Sequence, residues 1–166
     1  MSLAADIERD LDRLSELSPS GFAMAFHVRF TTPAFLFQTY SRKWLDIYSQ
    51  EGLVMRDPIV NFGFAKTGAK RWSELTEPDP DNVMGRAKDF DMNYGVAVGI
   101  DEDGSRSLAG LARPDREFTD AEIEEIEELV RSLHHATLDN GSLAPEAAKQ
   151  LKLMSVRFTH PSREKD

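Results

Sequence analysis

The chain has no cysteine among its 166 residues, which rules out disulfides, thiolate nucleophiles and Cys-ligated zinc and makes a reducing cytoplasm the natural compartment. It also lacks any apolar run long enough to cross a bilayer. Met1 to Leu17 alternates charge with Leu and so does not read as a signal peptide. Basic residues are in deficit, 20 Lys and Arg against 29 Asp and Glu, for a formal net charge of -9. Because affinity for a polyanion rests on Lys and Arg neutralising phosphates, this deficit argues against DNA binding by this chain alone. A local patch could form from Arg56, Lys66, Lys70 and Arg71, but solvated surface is the simpler expectation. There is no Gly-x-Ser-x-Gly, no HExxH and no His cluster with metal spacing, so no enzyme, metal site or cofactor is expected.

What remains is ordinary globular material, 40% hydrophobic and 30% charged, enough for one domain with a short appendage. Ser2 is placed to cap a first helix whose Ile7, Leu11, Leu14 and Leu17 share a stripe. Phe22, Met24, Phe26, Val28 and Phe30 alternate with Ala23, Ala25, His27 and Arg29, the pattern of a half-buried strand with the second set, His27 included, on its polar side. After the turn Thr31-Thr32-Pro33, Ala34 to Tyr40 reads as a paired second strand. A helix is expected over about Asn82 to Phe90, and a hairpin from Tyr94–Ile100 and Leu108–Ala112. Thr119-Asp120-Ala121-Glu122 is a capping box for a long helix that ends near Asn140-Gly141, with His134 and His135 near its end to complement the helix dipole.

The most informative stretch runs from Tyr40 to Trp72. Tyr40, Trp44 and Tyr48 recur every four residues, so a helix capped by Ser41 stacks them on one face. Asp57 follows in Asp57-Pro58-Ile59-Val60, where it can either cap a second helix that has Pro58 at its first position or serve a ligand. Phenol hydroxyls, indole N–H groups and a carboxylate among apolar side chains suit a small organic molecule with a polar head.

Read together, Tyr40-x3-Trp44-x3-Tyr48-x8-Asp57-Pro58-x13-Trp72 resembles the autoinducer-binding domain of the LuxR-type quorum-sensing regulators. The resemblance implies an α+β fold, an α/β/α sandwich with a central antiparallel sheet of about five strands flanked by helices. It further implies an N-acyl-homoserine lactone, or a similar small signal, held in an enclosed pocket. By that resemblance Trp44 donates to the lactone carbonyl, Asp57 accepts from the ligand amide, Tyr40 donates to the acyl carbonyl, and Tyr48 and Trp72 supply packing area. Phe22, Met24, Leu36 and Val60 are candidates for the wall along the acyl tail. Where the family often carries a Ser or Thr on its last strand, this chain has Gly110 or Ala112. Residues 1–140 then form the autoinducer-binding domain, and 141–166 a linker with the first-helix remnant of a truncated helix-turn-helix domain. A homodimer, or a heterodimer with a relative, is the expected assembly. The alternative role is a truncated regulator that pairs with an intact relative and inhibits it, through the last helices, Thr119–His135 and Leu143–Val156.

Overall fold

A computed structural model describes residues 3–30 and 32–138. The expected cap Ser2 and the expected segment 141–166 therefore lie outside the described residues. In chain order the elements are α1 (Leu3–Leu17), β1 (Gly21–Phe26), β2 (Phe35–Gln38), α2 (Arg42–Gln50), α3 (Pro58–Ala65), β3 (Gly68–Arg71), α4 (Val83–Ala87), β4 (Tyr94–Glu102), β5 (Ser105–Arg113) and α5 (Asp120–Ala136). The strands make one five-stranded antiparallel sheet in the order β2-β1-β5-β4-β3. The α+β class and the strand number are those the family resemblance implied.

Strand alternation gives the sheet two unlike faces. On one face Phe22, Met24, Phe26, Phe37, Val96, Val98 and Leu111 pack beneath α1 and α5, meeting Ile7, Leu11 and Leu14 from the first helix and Ile126, Val130 and Leu133 from the last. On the other face the central strands carry mostly small residues: Ala23 and Ala25 on β1, Gly95, Ala97 and Gly99 on β4, and Gly110 and Ala112 on β5. This face is covered by α2, α3, α4 and their flanks, with Tyr40, Trp44, Phe62 and Trp72 as its large buried side chains. The sequence reading of β1 holds for its bulky face and changes for the other. Its bulky residues fill the α1/α5 core, and the set taken for the polar side, Ala23 and Ala25, faces the opposite layer.

Other boundaries moved for identifiable reasons. β1 stops at Phe26 because His27 and Phe30 adopt φ of 58°, a conformation no strand continues through. The His27 N–H instead donates to Ser107 Oγ at 3.1 Å. β3 was invisible in sequence, since Gly-Ala-Lys-Arg has neither alternation nor β-branched residues; it exists because β4 offers it an unpaired edge. The fourth helix is shorter than expected and passes into a 3-10 turn over Lys88–Phe90. The β4–β5 turn places Asp103 and Gly104 at φ of 58° and 70°, the pair of left-handed residues that a tight two-residue hairpin requires. The capping box at Thr119 forms as read, but α5 ends at Ala136, before Asn140-Gly141.

The histidines correct a second expectation. His134 is fully buried, its Nδ1 2.7 Å from Ser107 Oγ and its Nε2 2.9 Å from the Glu102 carbonyl, so it ties α5 to the β4–β5 hairpin instead of complementing a dipole at the surface. Beside it, His27 has Nδ1 2.6 Å from Ser105 Oγ and Nε2 3.0 Å from the His134 carbonyl, an arrangement that suits the neutral ring. Burial, then the neighbouring His134, holds the His27 pKa below its ordinary value of 6.5. The folded chain therefore binds fewer protons here than the unfolded chain, and stability is lost as pH falls below about 6.5. The melting midpoint should drop between about pH 7.5 and about pH 5.5, and His27→Gln should flatten that slope. A variant with the full slope would place the dependence elsewhere. The buried Asp57, whose pKa is raised, changes stability in the opposite direction on acidification and cannot imitate the effect.

Candidate ligand-binding site

Ser41 starts α2 by accepting from the Trp44 N–H at 3.1 Å, which sets Trp44 and Tyr48 one helical turn apart on the buried side. Their ring centroids are 6.0 Å apart, edge to face, and Phe90 closes on Trp44 at 5.4 Å. Asp57 caps α3, with Oδ1 accepting from the Ile59 N–H at 2.8 Å, while Oδ2 accepts from the Tyr48 hydroxyl at 2.6 Å. The cap role and a role facing the layer's interior thus belong to different oxygens of one carboxylate. Burial pushes the Asp57 carboxyl up, against the hydrogen bonds from Tyr48 and Ile59. Burial and the Asp57 charge also raise the Tyr40 and Tyr48 phenols, so both remain protonated donors. Trp72 follows β3 and lies flat over Gly95, where an added Cβ would sit 2.1 Å from the indole.

These side chains surround one end of a cavity of about 620 Å³ between the small-residue face of the sheet and α2, α3 and α4. Tyr40, Trp44, Tyr48, Asp57, Trp72, Leu36, Val60 and Met24 all border it. Met24 does so only at the margin, because its side chain belongs to the α1/α5 core, and Phe22 lies wholly in that core and does not border it. At the centre is Gly110, where a Cβ would lie 3.2 Å from the Tyr40 hydroxyl and 3.1 Å from Ile59 Cγ2. Asp57 is the one charged side chain among the lining residues. The lining residues Phe30, Val54, Met55 and Phe64 are exposed, so the cavity reaches solvent at these side chains.

Residues 17–139 match the family described as autoinducer binding domain. The chain belongs to that family. Over 92 residues it is 29% identical to the transcriptional activator protein SolR of Ralstonia nicotianae, a match covering 55% of this chain and 39% of SolR. The chain thus spans well under half the length of that relative. Among solved structures, the N-acylhomoserine lactone dependent LuxR family factor CepR2 of Burkholderia cenocepacia superposes with a TM-score of 0.52 at 20% identity, covering 81% of this chain and 93% of that one. Escherichia coli SdiA in complex with octanoyl-rac-glycerol superposes with a TM-score of 0.60 at 15% identity, covering 87% and 64%. At these identities the likeness establishes the fold of an autoinducer-binding domain. Such a domain senses a signal and is not an enzyme.

Within this autoinducer-binding domain, sequence reasoning missed most of the floor of the cavity, Ala23, Ala25 and Leu108 with Gln38 beside them, and named only Gly110. The signal was available, because a strand that alternates large with small, as β1 does, can be buried on both faces and hollow on one. The suggested basic patch does not form. Arg56 pairs with Asp81, Lys66 with Glu77 and Arg71 with Asp120. Among the described residues no His, Asp or Glu cluster could hold a metal ion, and no helix is long and apolar enough to cross a membrane.

Proposed function

We propose that this autoinducer-binding domain takes up an N-acyl-homoserine lactone, or a closely similar acylated amide, with the polar head between Tyr40, Trp44 and Asp57. The observation that carries this is a buried carboxylate flanked by phenol and indole donors at the inner end of an otherwise apolar cavity. A buried amide without partners costs about 1–3 kcal/mol per lost group, so such a cavity selects ligands whose donors and acceptors match it. Trp44 donates to the lactone carbonyl, Tyr40 to the acyl carbonyl, and Asp57 accepts from the amide N–H. Tyr48 holds Asp57 in place and, with Trp72, supplies packing area. The tail lies against Leu36 and Val60, with Ala23 and Ala25 taking the places first assigned to Phe22 and Met24. The cytoplasm is the compartment we propose. In a full regulator, occupancy controls DNA binding by a separate domain, and pairing with a second copy or a relative is the assembly we propose.

Thermal melts with and without acyl-homoserine lactones test this reading, with octanoyl-glycerol included because SdiA is known in complex with it. A ligand at a hundredfold excess over its dissociation constant stabilises the folded state by about 2.7 kcal/mol, which for a domain of this size raises the midpoint by roughly 5–10 °C. A folded protein whose midpoint no lactone moves would refute the proposal.

A further inference from the structure

Five large hydrophobic side chains are notably exposed among the described residues, and four of them, Phe30, Val54, Met55 and Phe64, also line the cavity. Phe30 is the extreme case. It is 97% exposed, and it sits at φ 58° in a tight turn closed by the Arg29–Thr32 bridge. A bulky residue held in the left-handed region and left in water carries two costs at once, and such outliers mark places where function sets the conformation. Most of the large exposed apolar side chains therefore border the ligand cavity.

The sheet register gives this route a length. The Tyr40 hydroxyl lies over Gly110, which pairs with Ala23, so the head-group end is level with Ala23. One step outward, Ala25 pairs with Leu36 on one side and Leu108 on the other, and β1 ends at Phe26. From Ala23 to the end of β1 is three residues, about 10 Å at 3.4 Å per residue. An extended alkyl chain built from C–C bonds near 1.52 Å advances about 1.25 Å per carbon, so about eight carbons reach only the end of the strand. Phe30 follows four residues past that point.

We propose that the ligand is a long-chain amphiphile, an acyl amide with ten or more tail carbons, whose terminal segment emerges through the mouth and is covered by Phe30, Val54, Met55 and Phe64. This inference rests on the proposed lactone-type reading of the inner end and adds the chain-length class. Short acyl chains would leave the mouth residues in water, whereas a long tail and these residues cover each other. Selectivity for length then comes from exposed side chains, which can change without disturbing the core.

The test is a titration of the chain with butanoyl-, hexanoyl-, octanoyl-, decanoyl-, dodecanoyl- and tetradecanoyl-homoserine lactone, read by native mass spectrometry and by melting midpoint. Each newly buried methylene adds about fourfold in affinity, so dodecanoyl should exceed hexanoyl by more than about a hundredfold. The double variant Phe30→Ser, Met55→Ser should compress that ratio by about tenfold or more. Both positions are exposed, and the unliganded midpoint checks that the fold is kept. An affinity that peaks at octanoyl or shorter overturns the chain-length inference and leaves the lactone reading standing. No binding at any length overturns both. A concentration-dependent dimer abolished by the double variant, with the length profile unchanged, would assign the mouth to a second copy of the chain and overturn the inference.

Discussion

Asp57→Asn is expected to weaken lactone binding by about 10- to 100-fold while leaving the unliganded protein folded. The size follows from the bond removed: a hydrogen bond to a charged group contributes about 1.5–3 kcal/mol, and each 1.4 kcal/mol is tenfold. Asn is the informative substitution because its amide oxygen can still accept from the Ile59 N–H and cap α3, and its NH2 can donate to the Tyr48 oxygen. What it lacks is the strong anionic acceptor. Asp57→Ala would also remove the cap, at about 1 kcal/mol, and strand the Tyr48 hydroxyl, mixing folding with binding. Burial disfavours the charged form of Asp57, so the Asn variant should melt no lower than the parent without ligand, and the loss should appear only as a smaller ligand-induced shift. Equal shifts in parent and variant would reduce Asp57 to a helix cap.

Gly95→Ala should damage the fold itself, by about 2–3 kcal/mol, or roughly 4–12 °C in the midpoint. The added methyl would lie 2.1 Å from Cδ2 and 2.2 Å from Cε2 of Trp72, in the body of the indole and not at a flexible tip. Trp72 is buried, so it must shift together with the layer around it. Its Nε1 already lacks a hydrogen-bond partner among the described residues, which leaves little to anchor a new position. Circular dichroism melts measure the loss. A midpoint within about a degree of the parent would mean that Trp72 is not held against β4 as described. By contrast, Gly104→Ala has open space around it and would report only the strain of a left-handed residue.

How much of this was legible in the sequence depended on whether the signal was local. Ser41, Asp57-Pro58 and the Thr119 box act within a turn of their own position, and each forms as its neighbours dictate. Tyr40, Trp44, Tyr48, Asp57 and Trp72, picked out in sequence by their intervals, border one cavity. Where partners are distant in sequence, reading failed. Nothing near Gly68 announces a strand, because its cause is the free edge of β4. Nothing around His134 announces burial, because Ser107 and Glu102 lie on a hairpin about 30 residues earlier. Ala23 and Ala25 read as a solvent face because size alone does not tell a wet side from a hollow one. Phe30 continued an apolar alternation that the backbone abandons at His27.

The pairing of α1 with α5 also bears on how the domain could be rewired. Arg13 meets Glu125 at 2.7 Å and Asp10 meets Ser132 at 3.3 Å, so the two helices run antiparallel, and the chain enters near Leu3 and departs near Leu138 side by side. Both points lie on the face of the sheet opposite the cavity. A short splice between them would give a circular permutant whose new ends can be opened at the exposed Asp103-Gly104 turn without touching the binding layer. A donor and acceptor dye attached at Ala5 and Leu138 would start close together, and their separation would register changes in the helical layer through the thickness of the sheet.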